Sequence, residues 1–282
     1  MNQDMDALQV IDWCARWRSM YDREKQQSES LSNWQSNPSD PWQARAKSFA
    51  KASGRAKQPD SFLQFVLPHL KADDQLLDIG AGAGRHSIYL AQQGWQVTAV
   101  EPSAAMRNQL ESRLDSSSRA KLQIVAESWP SATVERCDVA ICAHALYGVR
   151  EIEPFLRRMD AVSQRACFIL LGFQQPSYYS APFWERIYGQ KRLPLPGALE
   201  CFNALYQLGI AANLSLLPAS RYSFASRDEA LDDLAWRLQI RPDSPLWERL
   251  QSAIDELLIE DSDGRLSTAQ QPKHIAVIWW LK

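Results

Sequence analysis

Between residues 76 and 87 the chain reads Leu-Leu-Asp-Ile-Gly-Ala-Gly-Ala-Gly-Arg-His-Ser, with glycines at 80, 82 and 84 separating a short apolar run from a helical pattern. This stretch narrows the possible folds more than any other. Glycine has no Cβ, so the backbone can turn sharply there and a ligand can approach the main chain closely. Leu76-Leu77-Asp78-Ile79 reads as a buried strand, and Ile88, Tyr89 and Ala91 follow on a helix that stops at Gly94. The alternation continues through strand Gln96–Val100, helix Ser103–Leu114, strands Leu122–Ala126 and Asp138–Cys142, helix Ile152–Val162 and strand Cys167–Leu171. Strands interleaved with helices of this length imply a parallel sheet covered by helices on both faces, and right-handed crossovers leave few topologies open. The expected class is α/β, a doubly wound sheet.

A second acid strengthens the nucleotide reading. Glu101 ends the second strand, 17 residues after Gly84. A carboxylate there can accept hydrogen bonds from vicinal ribose hydroxyls, the use that doubly wound sheets make of this position. A dinucleotide fingerprint would need G-x-G-x-x-G. Counted from Gly80 the third glycine falls on Arg85, and counted from Gly82 it falls on Ser87, so both registers fail.

The D-x-G-x-G-x-G spacing of Asp78–Gly84 resembles the first motif of the class I S-adenosylmethionine-dependent methyltransferases. The resemblance runs on through Val100-Glu101-Pro102-Ser103, Met106 and Val125-Ala126-Glu127-Ser128-Trp129-Pro130. It continues through Cys137–His144, similar to that family's fourth strand, and upstream Trp42-Gln43-Ala44-Arg45-Ala46 looks like the start of a helical lid. Together these cover roughly residues 42–173. The resemblance implies a Rossmann-like sheet of seven strands, mostly parallel with a final antiparallel strand, carrying a helical lid and an insertion. It implies S-adenosyl-L-methionine as cofactor and S-adenosyl-L-homocysteine as product. The cofactor would be held by Asp78, Gly80, Ala81, Gly82, Gly84, Glu101 and Pro102, with Met106 and Glu127 near the adenine and Ala143 facing the sulfonium. Glu127 also reads as a solvated loop acid, Trp129 as a packing residue, and Asp138 as a structural turn residue.

For the transfer itself a protein base is needed only if the nucleophile arrives protonated. His144, at the carboxyl end of the fourth strand, is a candidate base able to titrate near neutrality. Packing against the sheet edge is its competing role. Tyr147, three residues on, is a candidate to hydrogen-bond cofactor or substrate, with core or lid packing as the alternative. Tyr21, Tyr178 and Tyr179 are candidates to enclose a substrate or simply to pack, and His86 opens the helix after the glycines.

The expected organisation is a helical lid over 1–60, a cofactor-binding core over 61–173, a substrate cap over 174–265 and a final sheet strand within 266–282. In detail, Asp4–Gln27 reads as an amphipathic helix through Val10, Cys14, Trp17 and Tyr21, Ser28–Asp40 as a polar loop, and Trp42–Ala52 and Ser61–Leu70 as helices. Gln174–Pro196 is rich in proline and aromatics, Ala198–Leu208 is helical, and Leu214–Phe224 is an irregular strand. Ser226-Arg227-Asp228-Glu229 opens another helix as a capping box. Pro245–Glu260 reads as helical and His274–Leu281 as the last strand.

Composition bears on partners. The formal charge is −2 over 282 residues and the isoelectric point about 6.1, without the basic surplus of a dedicated nucleic-acid binder or a polybasic membrane anchor. Met1–Val10 has no apolar signal core, and apolar stretches such as Ala166–Phe173 are too short to span a bilayer. The five cysteines form no C-x-x-C pair and the four histidines lack ligand spacing, so no metal is expected and a reduced, cytoplasmic setting is. The acceptor expected is a small molecule, not nucleic acid or membrane; the oligomeric state is not readable. The alternatives left open are a protein that binds the cofactor or its product without turnover, a protein methyltransferase and an NAD-dependent oxidoreductase.

Overall fold

The computed structural model describes residues 11–31, 40, 42–43, 45–53, 58–173 and 178–282. The readings placed on 1–10, including Val10, on 32–39, on 174–177 and on the side chain of Tyr178 lie outside the described residues.

The strands are β1 (Gln75–Ile79), β2 (Gln96–Val100), β3 (Leu122–Val125), β4 (Cys137–Ala143), β5 (Ser163–Leu171), β6 (Asn213–Pro218), β7 (Leu258–Glu260), β8 (Leu266–Thr268) and β9 (His274–Leu281). Seven of them form one sheet in the order β3-β2-β1-β4-β5-β9-β6. β1 to β5 pair in parallel, whereas β9 runs antiparallel to both β5 and β6. The final strand is therefore antiparallel, as the resemblance implied. The order reverses between β1 and β4, and ligands bind outside the carboxyl ends of strands at such a switch point.

The helices are α1 (Trp13–Leu31), α2 (Ala46–Ser53), α3 (Ser61–Val66), α4 (Arg85–Gln92), α5 (Ala104–Glu111), α6 (Ser116–Arg119), α7 (Ile152–Val162), α8 (Ala181–Tyr188), α9 (Ala198–Gln207), α10 (Arg227–Arg237) and α11 (Trp247–Leu257). Successive strand residues point to opposite faces, which divides the core in two. Leu77, Ile79, Ala140, Cys142 and Ile169 pack with α7, α9 and the α1 residues Cys14 and Trp17. Leu76, Val139, Ile141, Phe168 and Leu170 pack with Phe62, Leu63 and Val66 of α3 and with Leu90 and Ala91 of α4. All five cysteines are buried free thiols in the first of these clusters, and burial pushes Cys137 up to about 12.

A third cluster has its own core. Tyr179, Phe183, Trp184 and Ile187 pack against Leu234 and Leu238, and against Leu250 and Ile254 of α11. Outside the described sheet face, α1 is held by Trp17, whose indole donates to the Val149 carbonyl at 2.7 Å, and by a buried ion pair between Glu24 and Arg192. No helix among the described residues is long and apolar enough to cross a membrane.

Several sequence boundaries move. α1 extends past Gln27 to Leu31, so Ser28–Leu31 is helix and not loop. The lid helix starts at Ala46, after a turn at Trp42 and Gln43. The helix from Ser103 ends at Glu111, and a separate turn, α6, follows because Asp115 and Ser118 form a reciprocal capping box. The helix expected over Pro245–Glu260 stops at Leu257, and Leu258–Glu260 pairs with Leu266–Thr268 as a small hairpin. Ser226 caps α10 through its hydroxyl, but the reciprocal half of the expected capping box is absent, because Glu229 accepts from the Ala225 amide instead.

Candidate active site

The glycine loop leaves β1 at the switch point. Gly80, Gly82 and Gly84 have φ of 75°, 56° and 79°, a region that L side chains enter only at a cost. The three differ in what surrounds them. A Cβ on Gly80 would lie 2.4 Å from the Cβ of Ala145, and one on Gly84 2.7 Å from Leu110, whereas one on Gly82 would meet only Phe49, at 4.0 Å. Gly80 and Gly84 are thus closed by packing, and Gly82 faces room. The amides of Gly80 and Ala81 donate to the Val100 carbonyl at 2.9 and 3.1 Å, tying the loop to the end of β2.

Two buried carboxylates flank the loop. Asp78 accepts from the Ser87 hydroxyl and so joins β1 to α4. Glu101 accepts from the amides of Gly82 and Ser103, each at 2.8 Å. Burial pushes both carboxyls above their ordinary range, against the hydrogen bonds that favour the charged forms. Pro102 is exposed beside Glu101, and Arg107 bonds the carbonyls of both residues.

Met106 is buried with Ala83 beneath Ala46 and Ala50 of α2, so the lid helix covers this side of the loop. Asp40 secures that cover by accepting from the Ser103 hydroxyl at 2.8 Å and from the Ala105 amide at 3.0 Å. Arg45 reaches from the lid to Asp232 of α10 at 2.8 Å. Glu127 is exposed and accepts from the Thr133 amide at 3.0 Å, bracing its own loop. The indole of Trp129 donates to the Phe155 carbonyl and packs edge-on against that ring.

At the end of β4, Ala143 is half-buried and His144 follows with φ 59°, a left-handed conformation uncommon outside glycine. Its amide donates to the Leu170 carbonyl at 3.0 Å. The Tyr147 hydroxyl accepts from the Gly172 amide at 2.8 Å and lies 3.3 Å from His144 Nδ1. Burial raises the Tyr147 hydroxyl above its usual range. His144 opens on a cavity whose walls displace bulk water, and this desolvation, aided by nearby His86 and Arg85, pulls its imidazole down to about 4.

That cavity has a volume of about 610 Å³ and lies outside the carboxyl ends of β4, β5 and β6. His144, Tyr147 and Gly172 form part of its wall, facing Arg85 and Asp60 on one side and Tyr222 on another. Asp60 caps α3 through the Leu63 amide and also bonds His86 Nε2 at 3.0 Å and Arg85 at 2.9 Å. These bonds outweigh its burial and hold the carboxyl below its usual range. Tyr179 is not on the cavity wall: it is buried, stacks on Tyr222 at 3.7 Å and donates to Asp233. No group of three or more metal-ligating side chains occurs among the described residues.

Residues 52–169 match a family model described as a methyltransferase domain. Two solved structures are similar in fold. One is a putative methyltransferase from Bacillus halodurans, 16% identical, with TM-score 0.52, covering 78% of this chain and 96% of that one. The other is the YcgJ protein of Bacillus subtilis, 13% identical, with TM-score 0.51 and the same coverage. An uncharacterized protein of Haemophilus influenzae is 24% identical over 238 residues, covering 83% of this chain and 87% of that protein.

The structure places the glycine loop, Glu101 and Met106 together beside α2, with Pro102 exposed next to Glu101, and sets His144 and Tyr147 on the cavity wall directly after Ala143. Glu127 stays outside both groups. Sequence reading missed Asp60, Arg85, Tyr222 and Lys273 as wall residues. Only Asp60 left a signal, as a helix N-cap before Ser61-Phe62-Leu63.

Proposed function

We propose that this protein is a methyltransferase that transfers a methyl group from S-adenosylmethionine to a small-molecule acceptor held in the cavity beside His144. The carrying observation is a recess of about 610 Å³ that reaches His144, one residue from the Ala145 that packs on Gly80. This is the size range of small-molecule sites, and the third core cluster and lid fit an enclosing role.

The residues present fit the cofactor. Gly82 faces open space, and the Glu101 carboxylate, with one backbone amide on each oxygen, keeps further lone pairs for ribose hydroxyls. Bound S-adenosylmethionine would supply an electrophilic methyl on a sulfonium. The chain's own contribution is to align the acceptor for in-line displacement and to exclude water. His144 lines the cavity as an orienting group, and Tyr147, 3.3 Å from its Nδ1, steadies the ring while tying β4 to the Gly172 amide. This division of labour suits an acceptor atom that arrives without a proton to lose. A cytoplasmic setting fits five thiols kept free.

The test is incubation of the purified protein with S-adenosylmethionine, labelled in its methyl group, and a fractionated cell extract. Label in the small-molecule fraction with stoichiometric S-adenosylhomocysteine is the expected result. Label on protein would favour the protein-methylating alternative, and binding without turnover a non-catalytic one.

A further inference from the structure

We infer that the acceptor is a small organic acid: an apolar body carrying one oxyanion group, recognised by Lys273 and Arg85 at the cavity wall. The inference rests on the cavity's being the acceptor site.

Among the described residues the cavity wall carries one carboxylate, that of Asp60. It is already engaged, because it caps α3, bonds His86 and pairs with Arg85 through a single guanidinium nitrogen. Arg85 is partly exposed and keeps its other nitrogens. Lys273 is exposed and has no ion-pair partner among the described residues, although it lines the same space. Arg85 and Lys273 thus set two cationic groups on the wall against one carboxylate that is already engaged.

The segment presenting Lys273 is held in place. Its carbonyl accepts the Ala219 amide at 3.1 Å, and the next residue, His274, pairs in register with Pro218. The Gln271 side chain accepts the Tyr222 amide at 3.0 Å and donates to the carbonyls of Tyr222 and Thr268, each at 3.2 Å. The bracing fixes the backbone that carries Lys273, so on meeting an anion only its side chain, and not the rim, has freedom to lose. Phe62, Leu170, Phe173 and Leu216 supply the apolar remainder of the wall. An ammonium-bearing acceptor would meet like charge from Lys273 and Arg85, which discriminates against it.

The test uses the S-adenosylhomocysteine-loaded protein and two probes of equal size, 4-phenylbutanoate and 4-phenylbutanamide, titrated by NMR. The acid should bind about fivefold or more tightly than the amide, the worth of an ion pair in a partly open site. Lys273→Gln should cut the acid's advantage over the amide by about twofold or more, Arg85 retaining the rest, with amide and S-adenosylhomocysteine affinities unchanged. An acid that binds no better than the amide, or that binds the variant as well as the parent, overturns the inference. Failure of the underlying reading shows separately, as absence of S-adenosylhomocysteine binding in the first step.

Discussion

Glu101 is the side chain on which cofactor recognition should depend most visibly, and replacing it by alanine has two separable consequences. The first is structural. Two amides, of Gly82 and Ser103, lose acceptors at 2.8 Å, and an orphaned buried donor costs about 1–3 kcal/mol. Water entering the vacated space offsets part of this, so a loss near ~2 kcal/mol is expected. The second is in binding. A hydrogen bond to a charged acceptor contributes roughly 1.5–3 kcal/mol, and ~1.4 kcal/mol corresponds to tenfold in affinity. Glu101→Ala should therefore weaken S-adenosylhomocysteine at least about tenfold, measured by calorimetry well below the melting transition of a variant that retains its circular dichroism spectrum. An analogue lacking the 2′-hydroxyl should lose less on the same substitution. A folded variant with unchanged affinity, or equal losses for both ligands, would refute the ribose assignment.

Other positions give sharper structural tests. Gly80→Ala places a methyl 2.4 Å from the Ala145 methyl at φ 75°, so urea titration should show about 2–5 kcal/mol lost from left-handed strain and overpacking together. Gly94→Ala, at φ 107° with nothing within 4 Å, should lose only about 1–2 kcal/mol; equal losses would contradict the packing argument. His144→Gly should be more stable than His144→Ala by about 1 kcal/mol, because the backbone there is left-handed. The reverse order would remove the strain. The His144 ring should titrate by NMR with a midpoint near 4 and stay neutral from pH 5 to 8. Its folded value lies below the unfolded one, so between about 6.5 and 4 the unfolded chain binds more protons and stability falls on acidification through that window. A midpoint near 6.5 would restore a base able to act at neutral pH.

The parts of this molecule legible in sequence are those whose determinants are local. Apolar runs with glycines at 80, 82 and 84, and an acid at 101, mark a nucleotide-binding switch point without reference to anything distant. The hairpin of β7 and β8 was not legible, because Leu258 and Ile259 prolong the apolar pattern of Leu250, Ile254 and Leu257, and periodicity alone does not separate a helix end from a short strand. α6 escaped for a related reason: its single turn, Ser-Ser-Ser-Arg, is set by the Asp115 cap and not by an apolar face. The cavity was hidden altogether. Its wall joins Asp60 and Arg85 to Tyr222 and Lys273, residues brought together because β6, paired antiparallel with β9, packs beside α3. His144 was found by position, yet its lowered pKa comes from surrounding walls that no sequence pattern records.

The account turns on what the glycine loop and Glu101 hold. Parallel calorimetric titration of the purified protein with S-adenosylhomocysteine and with NAD tests this most directly. Saturable binding of S-adenosylhomocysteine alone, lost in Glu101→Ala, is the predicted result; binding of NAD, or of neither, would contradict it.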